Sequence, residues 1–455
     1  MDGHHQREQG GAVAEADEAT VRRAVTGAAL GNAMEWFDFA VYSYLITSIT
    51  AAIFPEFDPT VRLLSGFAVL AVPFVVRPFG GIVLGPLGDR FGRKRVLATT
   101  ILLMSGSTVA IGLIPSYATI GVAAPILLVL ARLVQGFSTG GEYGGAATFM
   151  AEYSPTRRRG FFGSFLEFGT LGGYVLGAGL ATVFQLTLSE QDMVSWGWRI
   201  PFLLAAPLGL IGFYLRNRLD DTPAFQQCEQ AGAVTSAPFK EVIANNWRQI
   251  LNLMGIVVLL NVADYTLLTY MPTYLTQVLD IDATEALLLI IGVMVVLMLC
   301  MAPVGALSDR IGRKPLLITA AVGFLVLSYP AITVIGTGGV LGVAGGLLVL
   351  GLLLLCILAT IGSTFPAMFA TRNRYGAFSI GYSVSTALFG GTAPFVITAL
   401  IASTGSTTVP AYYLMGAAVV AIIPILVMPE TAQVPIHTHP TVVPGTNRRV
   451  PVTAR

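Results

Sequence analysis

The chain has 455 residues, of which 54% are hydrophobic and only 11% are charged, and its formal net charge is +1. Because soluble domains carry about 25% charged residues, this composition excludes a soluble globular protein, and the high hydrophobicity excludes a disordered chain. The near-zero net charge gives no indication of a nucleic-acid partner.

Long apolar segments recur along the chain from residue 24 onward. A segment of roughly 20 mostly apolar residues can cross the hydrocarbon core of a bilayer as a helix. Twelve segments meet this criterion: 24–52, 62–87, 95–114, 121–149, 160–185, 199–217, 249–277, 284–307, 315–335, 340–368, 375–402 and 410–429. They predict an all-α integral membrane protein with twelve transmembrane helices, and the even number places both termini on one side.

The basic residues indicate which side that is. Most lysines and arginines lie in the two tails and in the loops after the even-numbered segments, which is the distribution typical of cytoplasmic loops. We therefore expect a multi-pass protein of a prokaryotic plasma (inner) membrane with both termini in the cytoplasm. Five parts are expected: an N-terminal tail 1–23, a six-helix bundle 24–217, a linker loop 218–248, a second six-helix bundle 249–430 and a C-terminal tail 431–455.

The two halves repeat one another in the loop after their second segment. The copies read Gly85-Pro-Leu-Gly-Asp89-Arg90-Phe-Gly92-Arg93-Lys94 and Gly305-Ala-Leu-Ser-Asp309-Arg310-Ile-Gly312-Arg313-Lys314. Two repeated bundles joined by a cytoplasmic loop are the plan of transporters whose substrate site lies at the membrane midplane.

An aspartate beside arginines at a helix end can form ion pairs or bind a neighbouring helix terminus. We therefore expect these loops to latch the inner side of the protein while its outer side is open. The predicted gating residues are Asp89, Arg90, Arg93, Glu152, Arg157, Asp309, Arg310 and Arg313.

Charged side chains within the predicted helices are candidate functional residues, since each costs at least ~2.5–3.5 kcal/mol at the bilayer centre. Glu35 and Asp38 share a helix face, which Tyr42 continues, and counting about 1.5 Å per residue puts Arg132 at a similar depth. A carboxylate at low dielectric takes up a proton more readily, and a second carboxylate strengthens the effect. Because all four histidines lie in the tails, we expect Glu35 and Asp38 to carry a coupling proton.

The alternative for these residues is a buried ion-pair cluster of Glu35, Asp38 and Arg132 that only joins two helices. The remaining candidates for the substrate and proton site are Asn32, Asn261 and Asp264. An inner ion-pair network is expected nearer the cytoplasmic ends of the helices, formed by Arg77, Glu142 and Glu167.

The sequence contains no pattern that indicates catalysis or a metal site. The three cysteines, Cys228, Cys300 and Cys356, have no CxxC spacing and therefore indicate neither a metal site nor a disulfide framework. No Ser/His/Asp set and no nucleotide-binding loop is found. We expect no enzyme activity and no cofactor, with the proton as coupling ion.

Several stretches resemble known transporters between about residues 25 and 430. The duplicated Gly-x3-Asp-Arg-x-Gly-Arg-Lys loop is similar to a motif of the major facilitator superfamily. Five stretches resemble its metabolite:proton symporter family: Gly31-Asn32-Ala-Met-Glu35-Trp36-Phe37-Asp38-Phe39, Arg77-Pro78-Phe-Gly80-Gly81, Gln135-Gly136-Phe-Ser-Thr-Gly140-Gly141-Glu142-Tyr143, Ala151-Glu152-Tyr153-Ser-Pro155 and Trp196-Gly-Trp198-Arg199-Ile-Pro201-Phe202. Four others resemble the proline/betaine transporter branch: Thr222-Pro223-Ala-Phe225-Gln-Gln227, Leu267-Leu-Thr-Tyr270-Met-Pro272-Thr-Tyr274-Leu275, Phe365-Pro366-Ala-Met368-Phe369 and Pro410-Ala-Tyr412-Tyr413-Leu-Met415.

The resemblance implies a proton-coupled secondary symporter that imports a small zwitterionic osmolyte, such as proline, glycine betaine or ectoine, by alternating access. The substrate carboxylate would face Arg132, and its ammonium would face Glu35, Asp38 and an aromatic ring, for which Tyr42 is the candidate. One alternative is a proton symporter of organic acids such as 2-oxoglutarate, citrate or shikimate. Another is a non-transporting membrane receptor or a channel.

The expected partners are the small-molecule substrate and the lipid bilayer, with no nucleic acid, and we expect a monomer. Two features depart from the proline/betaine branch. The tail after Glu430 is rich in Pro and Thr and has no heptads, so control through a coiled coil is not expected. Asp264 is a charge where an uncharged polar or aromatic residue is expected, which leaves a different substrate open.

Overall fold

The computed structural model describes residues 18–91, 93–140, 142–217, 239–369 and 374–434. Within these ranges every regular element is helical, which confirms the predicted all-α fold. The N-terminal half contains α1 (Glu18–Tyr44), α2 (Ile46–Ile53), α3 (Pro59–Phe91), α4 (Arg93–Leu113), α5 (Tyr117–Ile120), α6 (Ala123–Thr139), α7 (Glu142–Tyr153), α8 (Arg159–Thr187), α9 (Glu190–Asp192), α10 (Arg199–Leu203) and α11 (Ala205–Asn217).

The C-terminal half contains α12 (Phe239–Asp264), α13 (Met271–Gln277), α14 (Ala283–Ile311), α15 (Arg313–Ile335), α16 (Val340–Thr364), α17 (Arg374–Phe389), α18 (Ala393–Thr404) and α19 (Val409–Val427). Short irregular helices connect some of these elements. They are the 3₁₀ turns Thr156–Arg158 and Pro366–Met368 and the π-helical turns Met193–Gly197 and Tyr265–Tyr270.

Each of the twelve predicted segments coincides with an apolar helix. Ten helical segments in the described ranges are long and apolar enough to cross a membrane, and the bent pair Val25–Tyr44 and Ile46–Ile53 forms an eleventh if its 65° bend is counted within one span. The third predicted segment, 95–114, corresponds to the shorter apolar helix Thr99–Leu113.

The ends of the predicted segments agree less closely with the structure. Helix α12 begins at Phe239, within the predicted linker 218–248, of which residues 218–238 lie outside the described part of the chain. The long apolar stretch 315–368 is divided at the expected glycine-rich turn between Ile335 and Val340. Gly338 in this turn has φ +73°, a conformation that glycine adopts without steric cost.

Small residues allow the helices around the first span to pack closely. A Cβ atom added to Gly169 or Gly173 on α8 would overlap the backbone of Ala29 or Ala33 on α1. Close approach of this kind is typical of membrane helices with small residues four positions apart. Helix α8 also packs against α14 and α16, and α3 packs against α17, so the two halves meet along α3 and α8.

Candidate functional site

Two buried ion pairs connect α1 to its neighbours in the N-terminal half. Arg77 of α3 lies 2.8 Å from the Glu35 carboxylate, and Arg132 of α6 lies 3.5 Å from the Asp38 carboxylate. All four side chains are at most 2% exposed. Each carboxylate of the predicted pair therefore has its own arginine, as buried charges require.

Gln135 joins the second ion pair to α4. Its amide nitrogen donates to Asp38 Oδ2 at 2.7 Å and to Thr108 Oγ1 at 2.9 Å, and its amide oxygen accepts from Arg132 Nη1 at 2.9 Å. Gln135 was not among the predicted site residues. A glutamine three positions after an arginine lies on the same helix face, and that spacing was a visible signal.

The Tyr42 ring is covered by Arg132. The guanidinium carbon lies 3.7 Å from the ring centroid, and the Tyr42 hydroxyl donates to the Gly66 carbonyl at 3.2 Å. This ring face therefore holds an arginine instead of facing a substrate ammonium. Arg132 itself is fully buried within the N-terminal half, so a substrate carboxylate between the halves does not contact it in this conformation.

A cavity of about 20 Å³ lies against both Glu35 and Asp38. Its other walls come from α4, α7 and α11 and include Thr108 and Glu142. A space of this size holds about one water molecule. Glu142, predicted for the inner ion-pair network, thus borders the same cavity as the carboxylate pair, and it lies within electrostatic range of Arg77.

The other two members of the predicted inner network take separate partners. Arg77 pairs with Glu35, whereas Glu167 accepts a hydrogen bond of 2.7 Å from the Tyr143 hydroxyl. The Tyr143 ring stacks on Tyr382 of the C-terminal half with 4.2 Å between centroids. Glu167 is therefore placed near the contact between the halves.

The two predicted asparagines each connect helices within one half. Asn32 donates to the Leu166 carbonyl at 2.9 Å and to Thr170 Oγ1 at 2.6 Å, which ties α1 to α8. Asn261 donates to Thr386 Oγ1 at 3.2 Å, which ties α12 to α17. Both amides are buried, and their bonds position the helices that carry Glu35 and Asp264.

Asp264 lies among aromatic rings from both halves. It is the last residue of α12, immediately before the π-helical turn Tyr265–Tyr270, and it is 4% exposed. The Trp36 ring of α1 lies 5.4 Å from the Tyr174 ring of α8 and 5.9 Å from the Tyr265 ring. None of the three rings was predicted as a site residue, because a single aromatic residue in an apolar helix is typical of ordinary core packing.

Asp309, in the second copy of the repeated loop, connects the two halves directly. Its carboxylate accepts from the backbone N–H groups of Gly160 at 2.7 Å and Phe161 at 3.0 Å, at the start of α8. Arg313 Nη2 lies 3.7 Å from the same carboxylate. An acid at a helix N-terminus is stabilised by the helix dipole and by charge-assisted hydrogen bonds, so Asp309 holds α8 against α14.

A second contact between the halves lies at the same end. Glu152 of α7 pairs with Arg374, the first residue of α17, at 2.9 Å. Arg157 and Arg310, which were predicted to share in the latch, are not part of these two contacts, and both side chains are exposed. The side chains of the first loop copy, Asp89, Arg90 and Arg93, lie outside the described part of the structure.

Glu430 anchors the helix that follows the second loop copy. Its carboxylate accepts from the backbone N–H groups of Arg313 and Lys314 at 3.1 Å. Partial burial of this carboxyl favours its neutral form, but the backbone N–H groups of Ala432, Arg313, Lys314 and Thr431 outweigh that effect and hold its pKa below the ordinary value. Arg313 is thereby held in place beside Asp309.

Further contacts between the halves lie toward the opposite ends of the helices. The Ser43 hydroxyl donates to the Thr269 carbonyl at 2.6 Å, and the Tyr44 hydroxyl donates to the Leu268 carbonyl at 2.7 Å. Tyr174 and Thr269 share a hydroxyl hydrogen bond of 2.8 Å. The acceptor carbonyls belong to the π-helical turn, and such turns are frequent at functional sites. The halves therefore touch on both sides of Asp264.

The chain matches the family model described as sugar (and other) transporter over residues 24–237 and again over 226–442. It is 45% identical over 429 residues to the proline/betaine transporter of Salmonella typhimurium, covering 92% of this chain and 86% of the relative. It is 44% identical to the glycine betaine/proline/ectoine/pipecolic acid transporter OusA of Dickeya dadantii, with coverage of 92% and 85%. Identity to the ectoine/proline transporter ProP of Corynebacterium glutamicum is 40%, with coverage of 91% and 85%.

The fold is similar to that of the major facilitator superfamily proton:xylose symporter XylE bound to 6-bromo-6-deoxy-D-glucose. The TM-score is 0.74 at 17% identity, and the match covers 93% of this chain and 98% of that one. At this identity the likeness concerns the fold alone. The two matched ranges of the family model correspond roughly to the two halves of the chain.

Proposed function

Since this chain belongs to the sugar (and other) transporter family of the major facilitator superfamily, and is a multi-pass membrane transporter rather than an enzyme, we propose that it imports a small zwitterionic osmolyte together with a proton. Proline, glycine betaine and ectoine are the favoured substrates, because relatives of 40–45% identity carry these names. The proposed setting is a prokaryotic plasma membrane, with a monomeric protein and both termini in the cytoplasm.

The main support for this proposal is the pairing of the buried acidic and basic side chains. Arg77 and Arg132 are each neutralised by a carboxylate, whereas no ion pair joins Asp264 to a cationic side chain in the described ranges. An organic acid such as citrate or 2-oxoglutarate would meet neutralised arginines and an additional acid. A zwitterion brings an ammonium group of its own, so the buried charges favour an osmolyte.

Glu35 and Asp38 are the proposed proton carriers. Both border the water-sized cavity, and no described helix contains a histidine that could take their place. Protonation of either carboxylate removes one charge of its ion pair and weakens the tie between α1 and α3 or α6. Proton binding would thereby bias the movement of α1, which is how local charge changes drive larger transitions.

Alternating access would use the contacts on the two sides of Asp264 as gates. Asp309 and the Glu152–Arg374 pair form the proposed inner gate. Ser43, Tyr44 and the π-helical turn Tyr265–Tyr270 form the proposed outer gate. Such a paired closure suits a transporter, since a receptor has no need to open on alternate sides.

The outer gate leads to a testable expectation for the double variant Ser43→Ala/Tyr44→Phe. It removes two hydrogen bonds worth about 1 kcal/mol each, which shifts the population toward the outward-open state by about 10- to 30-fold. The shift in population can be measured in a variant without native cysteines that carries a single introduced cysteine, Phe67→Cys. Phe67 is suitable because it contacts Tyr270 across the gate. Labelling of the introduced cysteine by an impermeant maleimide should accelerate.

The matched control is Tyr412→Phe, which removes the hydroxyl of an exposed tyrosine that makes none of the gate's hydrogen bonds. It should leave the labelling rate unchanged. Equal labelling rates in the double variant and the parent would show that these bonds do not hold the outer side closed.

Uptake into proteoliposomes tests the proposed function as a whole. Labelled proline should accumulate when the outside is acidic, and a protonophore should abolish the accumulation. Unlabelled glycine betaine and ectoine should compete with proline, whereas citrate and 2-oxoglutarate should not. Liposomes without protein serve as the control.

Three other results would redirect the assignment. Uptake that follows a sodium gradient and survives the protonophore would reject proton coupling. Competition by dicarboxylates alone would favour the organic-acid symporter. Binding of an osmolyte with no flux under any gradient would favour a receptor.

A further inference from the structure

Asp264 is a buried acid that no structural contact explains. Its side chain is 4% exposed, and Oδ1 has no hydrogen-bond partner in the part of the chain that the structure describes. Three other buried acids differ, because Glu35 and Asp38 are paired with arginines and Glu167 accepts a hydrogen bond from Tyr143. Burying an unpaired acid opposes folding, so a role in stability alone does not account for Asp264.

The groups within electrostatic range of Asp264 are neutral or negative. They are the Glu167 carboxylate and the hydroxyls of Tyr44, Tyr174, Tyr265 and Tyr382. No lysine or arginine of the described ranges is among them. The site therefore holds two acidic side chains, and Arg77, the cationic side chain that reaches Tyr265 and Tyr382, is paired with Glu35.

Aromatic rings form the walls of this site. Trp36 lies 5.4 Å from Tyr174 and 5.9 Å from Tyr265, and Phe74 meets Tyr265 edge-on at 5.3 Å. The Trp36 Nε1 and the Tyr265 hydroxyl also lack hydrogen-bond partners among the described residues. Rings with unused polar atoms around an unpaired acid are typical of a binding site rather than of a packed core.

The aromatic rings around Asp264 favour an alkylated ammonium over a metal cation such as sodium. Sodium, like other hard cations, is held by several oxygen ligands, and the Tyr44, Tyr174 and Glu167 oxygens near Asp264 already have other hydrogen-bond partners. An alkylated ammonium is different, because its apolar groups pack against rings and its charge is attracted to ring faces. Both features match the cationic end of betaine, proline or ectoine.

We propose that Asp264 and the rings of Trp36, Tyr174 and Tyr265 form the subsite for the ammonium group of the transported zwitterion. The inference rests on the proposed osmolyte transport and assigns the cationic end to this cluster rather than to Glu35, Asp38 and Tyr42. The latter group is already occupied, since Arg132 covers the Tyr42 ring.

The position of the rings links the subsite to gating. Trp36 and Tyr174 belong to the N-terminal half, and Tyr265 and Asp264 belong to the C-terminal half. The rings touch one another in this closed conformation, and an ammonium must enter between them. Separation of the halves at Tyr44 and Tyr174 exposes the ring faces, so the subsite opens to the outside when the outer gate does.

An isostere that lacks the positive charge of the nitrogen tests the proposal on the unmodified protein. The probe is 3,3-dimethylbutyrate, which has the shape and carboxylate of glycine betaine but a carbon in place of the charged nitrogen. Purified full-length protein is titrated with each compound and binding is followed by thermal shift. Glycine betaine should bind at least about 10-fold more tightly than the isostere, as loss of a desolvated cation–ring contact predicts.

Variants at two positions then test whether Asp264 and Trp36 are responsible for the preference for betaine over the isostere. Asp264→Asn should weaken betaine binding by about 10- to 100-fold, as expected for a lost charge-assisted contact, and should leave isostere binding nearly unchanged. Trp36→Leu should weaken betaine binding by about 10-fold, while Trp36→Phe retains most of it. The matched control is Trp196→Leu, since Trp196 is exposed and is not one of the rings of the cluster.

The outcomes separate this proposal from the proposed function. Wild-type protein that binds no zwitterionic osmolyte refutes the function itself. Equal binding of betaine and isostere to wild type overturns the subsite even if a variant fails to fold. Retained discrimination in Asp264→Asn, together with loss of the response to a pH gradient, would make Asp264 a proton carrier and would also overturn the subsite.

Discussion

Neither Asp38→Asn nor Arg132→Gln is expected to support proton-driven uptake, and each should lower the thermal stability of the purified protein. Removing one partner of a buried ion pair leaves the other charge uncompensated, which costs about 3–5 kcal/mol. Gln135 bonds to both side chains and would be disturbed in either variant. Proteoliposome uptake and thermal unfolding measure the two effects.

The double variant Asp38→Asn/Arg132→Gln distinguishes a proton carrier from a structural tie. It removes both charges together, and its amide groups can still bond to Gln135, so most of the lost stability should return. Proton-driven uptake should remain absent, because neither side chain can bind and release a proton. Wild-type uptake with a wild-type response to the pH gradient would instead show that the pair only joins α1 to α6.

Asp309→Asn is expected to slow uptake by about 10- to 100-fold while substrate affinity stays near that of the wild type. The Asp309 carboxylate accepts two hydrogen bonds across the halves, from the N–H groups of Gly160 and Phe161. Hydrogen bonds to charged groups contribute about 1.5–3 kcal/mol each, and asparagine offers one uncharged acceptor oxygen. The inward-closed state should therefore lose population. Initial uptake rates measure the slower transport, and equilibrium binding measures the unchanged substrate affinity.

The matched control for this variant is Arg310→Gln, an exposed neighbour in the same loop. It should leave the uptake rate unchanged. Asp89→Asn tests the first copy of the repeat and should slow uptake in the same way. Normal uptake and normal membrane insertion in both aspartate variants would show that the loops act on topology through their positive charge alone.

The helices were largely predictable because the bilayer constrains composition directly. A spanning segment needs about 20 apolar residues and must satisfy its backbone groups internally, so hydropathy located the apolar helices, ten or eleven of which are long enough to span in the described ranges. The breaks within them were not predicted. The bend after Tyr44 and the π-helical turn Tyr265–Tyr270 lie within predicted spans, and their hydrogen bonds link residues more than two hundred positions apart.

The partners of the buried charges were predictable only in part. A constant rise per residue gives the depth of a side chain, and depth counting placed Asp38 and Arg132 together, as the structure does. Depth counting does not give the rotation of one helix against another. Arg77 was therefore expected with Glu142 and Glu167, whereas the packing of α3 directs it to Glu35.

By itself, the sequence determined that this chain is a duplicated helical membrane protein with acids and arginines in its spans. Composition is sufficient for that conclusion, because the energy of placing a side chain in lipid depends mainly on its own chemistry. Only the tertiary structure decided that Arg132 covers Tyr42 and that the rings around Asp264 come from both halves. Such neighbours meet through the packing of helices that are distant in sequence, and the contacts around Asp264 also depend on how the two halves are closed.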